Sequence, residues 1–214
     1  MKLDKKQLLL YAVTDRAWVG RQTLEEQVED ALKGGVTMLQ LREKELPEEA
    51  FLREAKRIKE ICNRYGVPFI VNDSVDVAIK CGADGVHVGI EDVPVAELRA
   101  RVGDGFIIGA TAKTVEQAKA AEQDGADYLG VGAVFPSPTK KTAIRITKEQ
   151  LKEICGAVSI PAVAIGGITF DNVGEIAGGG MSGVAVVSAV FGAENICVAT
   201  AMLKEKVTKL VGKR

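Results

Sequence analysis

The clearest indication of the fold is the sequence Val36-Thr37-Met38-Leu39-Gln40-Leu41-Arg42-Glu43-Lys44. Its apolar run with a β-branched start predicts a buried strand over residues 36–42. Because side chains alternate along a strand, Gln40 and Arg42 share one face, whereas Leu39 and Leu41 share the other. An amide and a guanidinium at a strand end, with Lys44 just beyond, favour a parallel barrel that opens to its ligand there. The alternative is a solvated strand end followed by a charged helix start.

The rest of the chain repeats this unit, a short apolar run followed by an amphipathic stretch. Predicted strands cover residues 8–13, 36–42, 68–72, 85–88, 106–110, 128–131, 161–165 and 184–187. Predicted helices cover residues 23–34, 47–65, 75–81, 93–102, 114–124, 147–155, 171–177 and 193–210. Eight alternating units predict an α/β fold, a single closed (β/α)8 TIM barrel over residues 1–214. A doubly wound open sheet is the competing fold, but it usually carries fewer strands.

The composition argues against several classes of partner. Lys and Arg total 28 against 29 Asp and Glu, so the net charge of −1 gives no electrostatic reason to expect nucleic acid. No apolar run approaches the ~20 residues of a membrane span, and residues 8–13 are too short for a secretory signal. The four cysteines lack metal-type spacing, which favours buried free thiols in a reducing cytoplasm. We therefore expect a cytoplasmic protein with no nucleic-acid or membrane partner, and a homo-oligomer is compatible with the sequence.

Two glycine- or serine-bearing turns predict a phosphate site. Gly166-Gly167 follows the seventh predicted strand, and Val187-Ser188 ends the eighth. Barrel loops at these positions often bind phosphate, because backbone N–H groups and a following helix N-terminus face the anion. A tight turn is the alternative interpretation of each pair taken alone. Both together, in a barrel, favour phosphate.

Two aspartates at neighbouring strand ends predict a metal site. Asp73 follows the third predicted strand and Asp92 follows the fourth. Two carboxylates with no lysine beside them suit a hard cation such as Mg²⁺, which takes its other ligands from water and substrate phosphate. The alternative is that each aspartate caps the following helix. Arg42, Lys44 and Lys140 then supply positive charge for a second, larger phosphate group.

Five segments, found in order along the chain, lie at or near predicted strand ends. They are Tyr11-Ala12-Val13-Thr14-Asp15, residues 40–44, Val71-Asn72-Asp73, Gly85-Val86-His87-Val88-Gly89 and Gly166-Gly167-Ile168. Their combination resembles the thiamine-phosphate synthase family over essentially the whole chain. The resemblance implies a TIM-barrel transferase that joins 4-amino-5-hydroxymethyl-2-methylpyrimidine pyrophosphate to 4-methyl-5-(2-hydroxyethyl)thiazole phosphate. It also implies a dissociative, Mg²⁺-assisted mechanism in which thiamine phosphate forms and pyrophosphate leaves.

The resemblance assigns roles to single residues. The residues expected to bind the pyrimidine pyrophosphate are Gln40, Leu41, Arg42, Glu43, Lys44, Asn72 and Thr111, the last standing where the family usually has serine. The residues expected to bind the thiazole phosphate are Ser137, Pro138, Thr139, Gly167, Val187 and Ser188. Asp73 and Asp92 are expected to hold Mg²⁺, and Lys140 to reach the pyrophosphate. The expected catalytic residues are Arg42, Lys44, Thr111 and Lys140.

A few positions depart from the family pattern or carry no assigned role. Ile90 replaces a usual glutamine, Lys113 a frequent histidine and Thr142 a common aspartate, all near the predicted site. His87, the one histidine, lies in a valine-rich strand, where a place in the barrel wall is favoured over catalysis. Two alternatives to the synthase stay open. One is a thiazole tautomerase of the same fold, and the other is a barrel that binds phosphorylated metabolites without catalysis.

Overall fold

The computed structural model describes residues 3–20, 22–136 and 145–212 and contains a closed parallel barrel. The strands are β1 Leu10–Val13, β2 Met38–Leu41, β3 Phe69–Asn72, β4 Gly85–Val88, β5 Ile107–Ala112, β6 Tyr128–Gly132, β7 Ala162–Ile165 and β8 Gly183–Val186. Each strand pairs in parallel with the next, and β1 pairs with β8. The predicted (β/α)8 fold is confirmed, and the open sheet is excluded.

Helices follow the strands and surround the barrel. They are α1 Leu24–Lys33, α2 Glu48–Tyr65, α3 Val75–Cys81, α4 Val95–Val102, α5 Val115–Gln123, α6 Lys148–Gly156, α7 Ser188–Phe191 and α8 Ile196–Val211. Local capping fixes several starts, because the side chains of Thr23, Thr114 and Thr147 each accept a backbone N–H from the first turn. Helix ends therefore agree closely with the sequence prediction.

Three segments differ from the prediction. Residues 5–8 form a 3₁₀ turn capped by Asp4, so the first strand begins at Leu10 and not at residue 8. The helix predicted over 171–177 is a 3₁₀ turn, Val173–Ile176, because the Asn172 amide bonds Gly167 O at 2.9 Å and caps no helix. The short helix α7 was not predicted, since four residues leave no periodic pattern.

Two apolar layers form on the two faces of the strands. Leu39 and Leu41 pack outward against the helices, whereas Met38 packs inside the barrel with Tyr11 and Tyr128. This is the alternation predicted for the second strand, and it sets which side chains reach the barrel interior. We call the end where the strands finish the barrel mouth, and the end where they begin the barrel floor.

Two aspartates at equivalent positions bind neighbouring strands at the barrel floor. Asp84 accepts the Phe69 N–H at 2.8 Å and Lys59 Nζ at 2.7 Å. Asp127 accepts the Ile108 N–H at 2.8 Å and forms an ion pair with Arg99 of α4. Each aspartate therefore fastens the start of the preceding strand to a helix, as expected for groups on the stabilising face of a barrel.

Further sequence predictions concern the thiols and membrane spans. All four cysteines are free, but only Cys62 and Cys81 are buried, and Cys155 and Cys197 are partly exposed. The prediction of four buried thiols was therefore correct for two. Among the helices of residues 3–20, 22–136 and 145–212, none has the length and apolarity required to cross a bilayer.

Candidate active site

The end of β2 brings three predicted residues to the barrel mouth at different depths. Gln40 is buried below the mouth, where its Nε2 donates to Tyr11 Oη at 2.6 Å. Arg42 is partly exposed, and its guanidinium contacts Asp15 at 3.4 Å. Lys44 lies further out and is half-exposed. Leu41 does not join them, because its side chain packs against the helices, so only its backbone remains available to a ligand.

Glu43 has a structural role that the sequence prediction missed. Its carboxylate accepts the backbone N–H groups of Lys44 and Glu45, at 2.8 and 3.0 Å, and is paired with Arg16. Arg16 also binds both oxygens of Glu54 on α2 at 2.9 Å. Burial disfavours the charge on Glu43, but these donors together lower the pKa of the carboxyl. Glu43 therefore shapes the turn that carries Arg42 and Lys44, and its predicted contact with the substrate stays a prediction.

Arg16 also lines a cleft at the barrel mouth. A cavity of about 230 Å³ lies between the ends of β1 and β2. Its lining residues are Asp15, Arg16, Ala17, Arg42, Glu43, Lys44 and Glu45. In the sequence, the β1 side of this cleft is indicated by the charged residues of Thr14-Asp15-Arg16, which directly follow the first strand.

The two predicted metal ligands lie together, and a lysine reaches them. Lys44 Nζ contacts Asp73, whose carboxyl group also interacts with that of Asp92. Burial raises the pKa of Asp73, Lys44 opposes the rise, and the charge of Asp92 adds to it. Asn72 donates to Asp73 Oδ1 at 2.7 Å. The expectation that no lysine lies beside the carboxylates was wrong, because Lys44 arrives from the neighbouring strand end.

Helix capping does not explain either aspartate. Ser74 caps α3, where its hydroxyl accepts the Val77 N–H, and Pro94 precedes α4. Asp92 instead accepts the Gly89 N–H at 2.6 Å within the loop after β4. Asp73 has φ 58°, a left-handed conformation that is uncommon outside glycine and frequent at functional sites. The capping alternative is therefore excluded for both residues.

The donor set fits a hard divalent cation that keeps much of its water shell. The two carboxylates supply oxygen ligands of the kind that Mg²⁺ prefers. Within residues 3–20, 22–136 and 145–212, no group of three or more His, Cys, Asp or Glu side chains is arranged for a metal.

Thr111 is partly exposed on β5 and contacts the one histidine of the chain. His87 Nε2 lies 3.1 Å from Thr111 Oγ1, and His87 Nδ1 lies 3.1 Å from Tyr128 Oη. Tyr128 Oη in turn lies 2.8 Å from Tyr11 Oη. His87 thus lies in the barrel interior, in agreement with a barrel-wall role, but it also touches a predicted substrate residue. The two tyrosines were not identified from the sequence.

The predicted phosphate turns lie side by side after β7 and β8. The two strands pair in register up to Ile165 and Ala185, so Gly167 and Ser188 follow neighbouring strand ends. Gly167 has φ 62°, and a methyl group there would come within 2.1 Å of Pro136 O. Val187 directly precedes α7, which begins at Ser188. The predicted ligands Ser137, Pro138, Thr139 and Lys140, like Thr142, lie outside the described residues.

Two departures from the family pattern flank this site. Ile90 follows β4 and is 47% exposed, so an apolar surface stands where an amide was expected. Lys113 follows β5, and its backbone N–H is bound by Gln117 Oε1 at 2.8 Å. Neither residue replaces one of the side chains gathered around Asp73.

Comparisons with known proteins agree with this arrangement. The family model described as thiamine monophosphate synthase matches residues 10–190. The thiamine-phosphate synthase of Clostridium botulinum is 43% identical over 201 residues, or 94% of each chain, and that of Clostridioides difficile is 46% identical over 192 residues, or 90% and 91%. The thiamine phosphate pyrophosphorylase structure from Pyrococcus furiosus superposes with a TM-score of 0.89 at 40% identity, over 97% of this chain and 99% of that one. The chain belongs to the thiamine monophosphate synthase family.

Proposed function

We propose that this chain condenses hydroxymethylpyrimidine pyrophosphate with hydroxyethylthiazole phosphate to give thiamine phosphate and pyrophosphate. The observation that carries the proposal is the placement of Asp73 between Lys44 and Asp92 at the ends of β2, β3 and β4. A cation beside paired carboxylates suits a pyrophosphate that arrives with a divalent metal ion. A single phosphate group needs no such pair.

The pyrimidine pyrophosphate occupies the side of the barrel mouth formed by β2 to β5. Arg42 and Lys44 contact the pyrophosphate oxygens, Asn72 stands beside Asp73, and Thr111 contacts the same substrate. Asp73 and Asp92 hold Mg²⁺, which when bound supplies positive charge to the leaving pyrophosphate. Lys140 adds a further cation from the loop after β6.

The thiazole phosphate occupies the other side, after β7 and β8. Gly167, Val187 and Ser188 offer backbone N–H groups and a hydroxyl, and the family resemblance assigns residues 137–139 to the same phosphate. Two neighbouring subsites hold the thiazole nitrogen near the pyrimidine methylene carbon, which lowers the entropic part of the barrier.

The reaction needs no protein nucleophile. The bond between the pyrimidine methylene carbon and the pyrophosphate oxygen breaks with its electron pair on the oxygen, and the thiazole nitrogen lone pair forms the new bond to carbon. Charge grows on the pyrophosphate oxygens as the old bond lengthens, so Arg42 and Lys44 stabilise the transition state more than the ground state.

Pyrophosphate release from the purified chain is the direct test. We expect release only when both substrates and Mg²⁺ are present, with each substrate omitted in turn as a control. Isomerisation of a thiazole substrate without pyrophosphate release would instead identify a tautomerase. Binding of both substrates without turnover, at any Mg²⁺ concentration, would contradict an enzymatic role.

A further inference from the structure

A chain of hydrogen bonds crosses the barrel interior and ends at Thr111. It joins Gln40, Tyr11, Tyr128, His87 and Thr111 through contacts of 2.6, 2.8, 3.1 and 3.1 Å. The first four side chains are buried, with exposed fractions of 4%, 1%, 0% and 8%. Only Thr111, at the end nearest the barrel mouth, is partly exposed.

The chemistry of the groups gives this chain a direction. Gln40 Nε2 carries only hydrogens, so Tyr11 Oη accepts from it. Tyr11 then directs its own proton to Tyr128, and Tyr128 directs its proton to His87 Nδ1. An accepting Nδ1 leaves the ring proton of neutral His87 on Nε2, which donates to Thr111 Oγ1.

If the hydrogen bonds ran in the reverse direction, the buried Tyr11 hydroxyl proton would have no acceptor within the hydrogen-bond network. Tyr11 Oη would then accept from both Gln40 and Tyr128, and its own proton would point into the apolar interior. An unmade hydrogen bond at a buried site is costly and rare in folded proteins. The orientation of the Gln40 amide therefore sets the direction of every later bond.

A glycine makes room for the central contact. A methyl group on Gly109 would lie 2.3 Å from Tyr128 Oη and 2.5 Å from His87 Nδ1. A methyl group on Gly130 would lie 3.1 Å from His87 Cε1. Any larger residue at position 109 displaces the tyrosine or the imidazole, so the contact depends on a gap in the neighbouring strand.

We propose that this network is a one-way hydrogen-bond relay that holds His87 as its Nε2–H tautomer and presents Thr111 as a donor to the barrel mouth. Because Thr111 accepts from His87, its own proton turns outward and selects a hydrogen-bond acceptor on the pyrimidine substrate. Tyr11, Tyr128 and His87 are positioning residues, since they act through Thr111. The identity of the substrate rests on the proposed function, whereas the tautomer does not.

The tautomer is measured directly, because His87 is the one histidine of the chain. Protein labelled with ¹⁵N-histidine, without substrates and at a pH where the imidazole is neutral, should show a protonated Nε2 and a bare Nδ1. Tyr128→Phe removes the donor to Nδ1, and Tyr11→Phe removes the donor to Tyr128, so both variants should populate mixed tautomers. Tyr65→Phe, on the outer helix α2, is the matched control and should leave the spectrum unchanged. A protonated Nδ1 in the unmodified chain would overturn the relay.

Kinetics then connect the tautomer to the substrate. Tyr128→Phe and Thr111→Val should each raise the KM for the pyrimidine substrate about three- to tenfold, the size of one neutral hydrogen bond, with the KM for the thiazole phosphate unchanged. Thr111→Ser should restore the value, because it keeps the hydroxyl. Equal behaviour of Tyr128→Phe and Tyr65→Phe in both spectrum and KM would overturn the proposal. If the unmodified chain releases no pyrophosphate, the proposed function fails, and the spectrum still decides the relay.

Discussion

The two ends of the barrel use the same residue type in opposite ways. At the barrel floor, Asp84 and Asp127 each have a strand N–H and a cation as partners. At the barrel mouth, Asp73 and Asp92 lie against each other, and Lys44 reaches the first of them. The floor neutralises each carboxylate separately, whereas the mouth holds two carboxylates where their charges repel.

The arginines show the same contrast. Arg99 at the floor donates to the carbonyls of Gly103, Phe106 and Gly125 at 2.6 to 3.1 Å and to Asp127. The Arg42 guanidinium at the mouth has, among the described residues, one longer contact of 3.4 Å to Asp15. A guanidinium whose five hydrogen bonds go to backbone carbonyls and a carboxylate is fixed in place, and one held by a long contact is able to bind an anion. The floor charges are therefore bound by groups of the fold itself, whereas we propose that the mouth charges are arranged for a ligand.

The largest expected effect is loss of activity from the mouth carboxylates. Asp73→Asn and Asp92→Asn should each reduce pyrophosphate release at least about a hundredfold at ordinary Mg²⁺, comparable with the loss of a key electrostatic contact. Excess Mg²⁺ should restore part of it, because asparagine keeps an oxygen but loses the charge that attracts the cation. A Mg²⁺ titration of both variants and the unmodified chain measures this. A curve that does not move would place these aspartates with the floor residues.

The mouth cations come next. Arg42→Ala and Lys140→Ala should each slow single-turnover catalysis at least about tenfold while circular dichroism stays unchanged, since we propose that both contact a leaving group whose charge grows. Arg53→Ala, an exposed arginine on α2, is a suitable control. If both variants reacted as fast as Arg53→Ala, Arg42 and Lys140 would have no role in catalysis.

A floor variant should show the opposite pattern. Asp127→Asn weakens the contact with Arg99 and should lower the free energy of unfolding by about 1–3 kcal/mol. Turnover per folded molecule should not change, because the residue lies at the far end of the barrel from the mouth. Denaturant titration and pyrophosphate release on the same sample separate the two. If Asp127→Asn instead lost turnover and kept its stability, the assignment of Asp127 to the stabilising end of the barrel would be wrong.

The thiazole side of the mouth is expected to respond more weakly. Ser188→Ala should raise the KM for the thiazole phosphate a few-fold, about the size of one hydrogen bond, and should leave the pyrimidine substrate unaffected. Gly167→Ala is a poorer probe, because the added methyl group clashes with Pro136 O. Substrate titrations of Ser188→Ala provide the measurement. Equal losses for both substrates would show that the subsites are wrongly divided.

The smallest expected effect is on thermal stability. Its pH dependence should have opposite signs for the carboxyl groups of Asp73 and Glu43. The raised pKa of Asp73 means that its stabilising contribution is present at acidic pH and is lost as pH rises through the folded pKa. With a chelator present to remove metal ions, Asp73→Asn should therefore have a slightly higher melting temperature than the unmodified chain at pH 7. The difference in melting temperature should vanish at acidic pH. Glu43 has a lowered pKa, so Glu43→Gln should melt lower at pH 7, with the loss fading as pH falls. Melting curves across pH test both signs.

The barrel fold, the strand faces and most residues of the barrel mouth could be predicted from the sequence. Alternation along residues 38–41 is local, so it correctly placed Met38 inside and Leu39 and Leu41 outside. Glycine and threonine caps are equally local, and they fixed the helix ends. In a parallel barrel the strand ends converge, so Asp73 and Asp92 were predicted to meet without knowledge of any contact.

Only the tertiary structure decided which of these residues bind one another. The contact between Tyr11 and Tyr128 joins residues 117 positions apart, and nothing in either neighbourhood predicts it. The bonds of Arg16 to Glu43 and of Lys44 to Asp73 likewise cross between different strand ends. A strand or cap depends on nearest neighbours in sequence, whereas a side-chain contact depends on barrel closure, register and depth. The sequence therefore contained the residues of the site, and the closed barrel set their partners.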